Sequence, residues 1–171
     1  MRRKIIIFIF TLSILLIGLI SLDHNFSRSY HHTFTKSTDL SKENVDGMYL
    51  GDDIKSEKIV AKYGEISELS QDNVLYNYYL LSDKIEIATN LDDSKIIRFI
   101  VEDKTVGTEK GVKTRDKKDK IIELYGDNYY TRLEQGTNII GYVDKNKKCS
   151  IEFWLVDDEV VFYRLDYNFM G

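Results

Sequence analysis

From Val45 onward the order of sequence elements runs twice, and this constrains the fold more than any single motif. The segment 50–64 ends in Lys58-Ile59-Val60-Ala61-Lys62-Tyr63-Gly64, and 112–126 ends in Lys120-Ile121-Ile122-Glu123-Leu124-Tyr125-Gly126. An offset of 62 places Ile59 on Ile121, Tyr63 on Tyr125 and Gly64 on Gly126. Downstream, Ile85-Glu86-Ile87 faces Ile151-Glu152-Phe153, Asp92-Asp93-Ser94 faces Asp157-Asp158-Glu159, and the apolar run 96–101 faces 160–165. An internal repeat of this kind means that one supersecondary unit is used twice.

Each unit is expected to open with a short helix. Ile59 and Tyr63 are four apart and share a helix face, and Ile121, Leu124 and Tyr125 repeat the stripe. Gly64 and Gly126 then stand where a helix ends in a left-handed residue, so Tyr-Gly reads as a helix stop. Three strands follow in each half, at 74–81, 85–91 and 96–102, then at 138–143, 149–156 and 160–167. In the last pair, alternation puts Ile151, Phe153 and Leu155 on one face and Ser150, Glu152 and Trp154 on the other. The expected fold class is α+β: an N-terminal transmembrane helix, then two tandem modules, each a short helix followed by an antiparallel three-stranded meander. The domains are expected at 44–104 and 105–171.

This order resembles the small α/β modules of the SmpA/OmlA (BamE-like) and beta-lactamase-inhibitor-protein-like group. The carrying residues are the stretch ending at Gly126 and the strand Ile151-Glu152-Phe153-Trp154-Leu155-Val156. The resemblance implies architecture only. The paired cysteines of the inhibitor proteins and the lipid-bearing Cys of the BamE-like lipoproteins are absent, since the single Cys is Cys149.

The first 43 residues set the expected location. Arg2, Arg3 and Lys4 precede residues 5–22, which carry no charge. Eighteen helical residues span about 27 Å, close to a bilayer core. Cations on the near side stay cytoplasmic, so 1–4 are expected inside and the rest outside. The reading is a single-pass signal-anchor in the cell membrane, with a cleaved export signal as the alternative. Residues 23–43 are polar without a hydrophobic period and are expected to form a stalk. That stalk holds all three histidines, His24, His31 and His32. Beyond the first four residues the chain has 21 basic and 28 acidic residues. That balance excludes nonspecific nucleic-acid binding as a partner class.

A search for chemistry finds no Gly-rich phosphate loop and no nucleophile elbow. Cys149 has no histidine outside the stalk to serve as its base, and Lys147 and Lys148 beside it favour a lowered thiol pKa. The pairs Asp52-Asp53, Asp92-Asp93 and Asp157-Asp158 read as turns. The expectation is a protein that is not an enzyme and takes no cofactor and no metal.

Two features point to binding. The segment 104–120 has seven cations against three acids, with Lys113, Arg115, Lys117 and Lys118 at its centre, and suits an anionic partner. Aromatic residues make up 12% of the chain. Trp154, with Tyr142, Phe162 and the first-half equivalent Tyr79, is expected on the sheet face that the helices leave open. The function expected is a membrane-anchored extracytoplasmic protein that binds an envelope protein or polymer through that face. The alternatives are an exported enzyme acting on envelope polymers and a small-ligand or metal-binding ectodomain.

Overall fold

The computed structural model describes residues 27–64, 66–69 and 75–170. Its elements are α1 (Arg28–Phe34), α2 (Glu57–Tyr63), β1 (Ser67–Leu69), β2 (Tyr76–Ser82), β3 (Ile85–Asn90), β4 (Ile96–Val101), α3 (Lys118–Tyr125), β5 (Tyr130–Glu134), β6 (Thr137–Asp144), β7 (Cys149–Val156) and β8 (Glu159–Tyr167), followed by a 3-10 turn (Asn168–Met170). The strands form one antiparallel sheet of eight, in the order β1-β2-β3-β4-β8-β7-β6-β5.

This corrects the expected fold class. Each half is a helix followed by four strands, and the two halves are one sheet. Strands β4 and β8, the last of each half, pair along their length from Arg98↔Asp166 to Val101↔Tyr163. An antiparallel pair of equivalent strands leaves neither half with a free inner edge, so two small units share one core. The missed strands, β1 and β5, are edge strands of three and five residues, too short for a clear alternation.

The transmembrane helix expected over 5–22 lies outside the described residues. Among the described residues no helix is long and apolar enough to cross a membrane. The described residues fold as one eight-stranded sheet with short helices, and the transmembrane helix of the expected fold class is not among them. The stalk is corrected too. Residues 28–34 are helical, Leu40 is buried, and the Thr38 and Leu40 N–H groups donate to the Val143 carbonyl and to Asp144 Oδ2. Its anchors are isolated contacts rather than a periodic stripe.

The duplication is visible in backbone hydrogen bonds. Gly51 N–H donates to the Ile96 carbonyl and Ile96 N–H to the Asp52 carbonyl; Arg115 with Val160, and Val160 with Asp116, repeat both bonds. Tyr49 N–H donates to Asp52 Oδ2, and Lys113 N–H to Asp116 Oδ2. These pairs are all 64 residues apart. The helix ends, Gly64 and Gly126, differ by 62, because the first half has two more residues between these loop bonds and the end of its helix. Both glycines have positive φ, 75° and 84°, and close their helices through N–H bonds to Val60 and Ile122.

One face of the sheet carries the core. The row Tyr79–Ile87–Phe99–Leu165–Ile151–Tyr142 crosses six strands. Ile59 of α2 and Ile121 and Tyr125 of α3 pack on the same core cluster. The opposite face positions the site.

Candidate functional site on the open sheet face

The second face is read from a row that crosses all eight strands: Ser67, Leu80, Glu86, Ile100, Arg164, Glu152, Gly141 and Tyr130. In the β5–β8 half it holds charge. Glu152 and Asp166 have no exposed surface. Arg132 Nε donates to Glu152 Oε1 at 2.7 Å, and Arg164 donates to Oε2 at 2.5 Å. Arg98 Nε and a terminal nitrogen donate to Asp166 Oδ2 at 2.9 and 2.8 Å. Tyr130 donates to Glu152 Oε1 at 2.6 Å.

Helix α1 lies over this charge. Arg28, itself buried, pairs with Asp166, sits 3.1 Å from Glu152 and donates to Ser150 at 2.8 Å. His31 stacks on the Tyr130 ring at 4.7 Å between centroids. Burying such charges is offset by close pairing and further hydrogen bonds, and here Arg28 Nη1 is left without a hydrogen-bond partner among the described residues. Burial alone would raise the Glu152 carboxyl, but Arg28, Arg132 and Arg164 hold it well below the usual carboxylate range. Burial and the neighbouring Arg28 push His32 down to about 4, so it is neutral at pH 7.

The β1–β4 half of this face is covered differently. Met170 of the C-terminal turn packs on Tyr78, Ala88 and Ile97, and its carbonyl accepts from Arg98. Between the two covers a window remains. Leu80 is 36% exposed there, and Ile100, Phe162, Glu86 and Arg164 are half-buried. Phe162 stacks on Trp154 at 4.5 Å, and Arg164 lies 4.6 Å from the Trp154 ring centroid. A cavity of about 280 Å³ beside them is lined by Ile100, Glu134, Thr137, Trp154, Phe162 and Arg164.

The structure therefore brings Trp154 and Phe162 together on the open face, opposite each other across β7 and β8. Trp154 is only 6% exposed, so Phe162 is the aromatic that meets solvent. Tyr142 and Tyr79 are not with them. Tyr142 is opposite Ile151 and Tyr79 opposite Ile87, on the helix-covered face. Tyr142 is fully buried against Tyr125 and donates to the Gly126 carbonyl at 2.9 Å. One residue of strand parity separates these expectations from the fold.

The basic residues lie elsewhere. Lys113 N–H bonds to Asp116, Arg115 N–H donates to Val160, and Lys117 pairs with Glu159 at 3.0 Å, while Lys118 opens α3. Arg115 lines a cavity of about 450 Å³ with Lys84, Lys104, Glu102, Asp157 and Glu159, so three cations and three acids share its wall. None of these four lines the cavity beside Trp154. Burial and nearby Asp144 push the Cys149 thiol up to about 12, the reverse of the expected lowering.

No family model matches the chain, and no curated protein matches it. Neither comparison links it to the SmpA/OmlA or inhibitor-protein modules. Among solved structures it is similar to an extracellular protein containing a SCP domain from Bacillus anthracis str. Ames, with a TM-score of 0.50 and 13% identity. The match covers 79% of this chain and 49% of that one, so this chain spans about half the length of its structural neighbour. At that identity the likeness is one of fold.

Sequence reasoning missed the arginines of the site. Arg28, Arg98, Arg132 and Arg164 were each unremarkable as single cations. The available signal was parity: Arg164 and Asp166 alternate with the core residues Tyr163 and Leu165 on β8, and Glu152 alternates with Ile151 and Phe153 on β7. Charges at that spacing, inside strands whose other face is core, mark a face where ionic groups pair.

Proposed function

We propose that the protein is a non-catalytic binding protein that acts outside the cytoplasm and takes a protein or envelope component on its open sheet face. One observation carries the reading. On a face otherwise closed by α1 and by the C-terminal turn, Leu80, Ile100 and Phe162 remain accessible in a window that Glu86 crosses between Leu80 and Ile100. Such a window, a few side chains wide and rimmed by charge, has the makeup of a docking surface. The cation-led apolar stretch at residues 2–22 supports export, and the extracellular neighbour is compatible with an extracytoplasmic location.

The test is site-specific photocrosslinking in the native envelope. A photoreactive residue at Ile100 or Leu80 is expected to trap a partner, and the same residue at exposed Val60 on α2 is expected to trap none. Equal trapping at Val60, or no product at either window position, overturns the open-face reading.

A further inference from the structure

The duplicated fold places a second acidic pair where, among the described residues, no ion pair holds it. Ile96 and Val160 are equivalent through their backbone bonds, and the same 64-residue step relates Ile100 to Arg164 and Glu102 to Asp166. Glu86 stands opposite Ile100 as Glu152 stands opposite Arg164. Lys84 accepts from Glu102 N–H through its carbonyl, in the place where Ser150 stands opposite Asp166. Glu86 and Glu102 therefore hold the register positions of Glu152 and Asp166 on the same face of the same sheet, with Glu86 half-buried and Glu102 exposed where Glu152 and Asp166 have no exposed surface.

The contents differ. In the second half Arg28 bridges the pair, with Arg132 and Arg164 also on Glu152 and Arg98 on Asp166. In the first half, among the described residues, no ion pair reaches Glu86 or Glu102, and of the neighbouring side chains Leu80 is 36% exposed and Ile100 half-buried. Burial raises the Glu86 carboxyl, against a lowering by Arg98 and with a further rise from the nearby Glu102.

We propose that the Glu86–Glu102 half of the open face receives an arginine-bearing segment of a partner protein, seated as Arg28 seats α1. A planar guanidinium can bridge two carboxylates on adjacent strands, as Arg28 does between Glu152 and Asp166, and an ammonium matches that geometry less well. The apolar side chains next to the arginine would rest on Leu80, Ile100 and Phe162. Lys84, Lys104 and Arg115 gather around the cavity beyond Glu102. They disfavour a polybasic run, so the segment carries one arginine among apolar and neutral residues.

The inference rests on the open-face reading and is tested separately from it. The probe is a capped peptide of residues 27–35 of this chain, titrated into the full-length protein with backbone amide shifts as the readout. Saturable binding is expected, with shifts centred on Leu80, Glu86 and Ile100. Glu86→Gln combined with Glu102→Gln is expected to weaken it at least tenfold, and so is an Arg→Gln peptide. Glu123→Gln, on exposed α3, serves as the charge control and is expected to leave binding unchanged. Binding insensitive to the double substitution, shifts centred on Glu152, or no binding at millimolar peptide overturns the arginine site. If the peptide fails while Ile100 still crosslinks a partner, the open-face function stands and only its arginine chemistry falls.

Discussion

Arg28 lies 3.1 Å from Glu152, both side chains buried, and this contact fastens the N-terminal helix to the middle of the sheet. Arg28 also pairs with Asp166, so one guanidinium serves two buried acids. Removing it leaves Glu152 with Arg132 and Arg164, and Asp166 with Arg98, beneath a helix that has lost its main tether. Arg28→Met is expected to destabilise the fold by about 1.5–3 kcal/mol, the scale of lost hydrogen bonds to charged groups, because the other arginines keep both acids paired. Arg28→Met with Glu152→Met is expected to cost less than the sum of the two single changes. Urea denaturation of the four proteins checks both statements, and cleavage at Lys36 by trypsin reports whether α1 has left the sheet.

His32 gives the fold a defined acid sensitivity. It is buried beside Arg28, with no hydrogen-bond partner at Nε2 among the described residues, and its folded pKa is about 4 against an ordinary value of 6.5. Above pH 6.5 it is neutral in both folded and unfolded chains and changes nothing. Between 6.5 and 4 the unfolded chain binds the proton first, so stability falls as pH falls through that window. Its share is about 1 kcal/mol after allowing for solvent screening. Denaturation at pH 7.5 and 4.5 is expected to show a smaller drop in His32→Gln than in the wild type. Equal drops would remove His32 as the cause.

Cys149 is expected to be chemically silent. It is 4% exposed at the start of β7, and burial and Asp144 raise its thiol to about 12. A thiol alkylates through its thiolate, so at pH 8 only about one molecule in ten thousand is competent even before access is considered. Iodoacetamide at pH 8 is expected to leave the native protein unmodified and to react fully once urea unfolds it. Fast labelling of the native chain would contradict this burial.

Much of the fold was legible because it is written in periodicity. Ile59, Tyr63, Ile121 and Tyr125 mark two helices, and the alternation of Ile151, Phe153 and Leu155 marks the core face of β7. What was not legible lies between distant residues. Nothing near Glu152 in sequence announces Arg28, because an ion pair leaves no local pattern at either end. Strand parity for Tyr79 and Tyr142 failed for a related reason: a tyrosine suits either face, and only the pairing of Tyr79 with Ile87 and Tyr142 with Ile151 settles which. The joining of the halves through β4 and β8 is likewise a property of pairing rather than of either strand.

Gly141 and Tyr130 show how one position of the repeat was rebuilt. They stand opposite each other on β6 and β5, as Leu80 and Ser67 do in the first half. A Cβ on Gly141 would fall within the Tyr130 ring, which lies over the glycine to donate to Glu152. The side chain missing at Gly141 is therefore the space that the ring occupies. Gly141→Ala is expected to destabilise by about 1–3 kcal/mol, since a buried ring must move and surrender its hydrogen bond. Tyr130→Ser removes the obstruction and places at this position the residue type that the first half has at Ser67. In that background the same Gly141→Ala change is expected to cost much less, giving a coupling of about 1 kcal/mol or more in a double-mutant cycle. Additive losses would mean that Gly141 is required by its backbone rather than by the ring, and the contact with Tyr130 would lose its explanatory role.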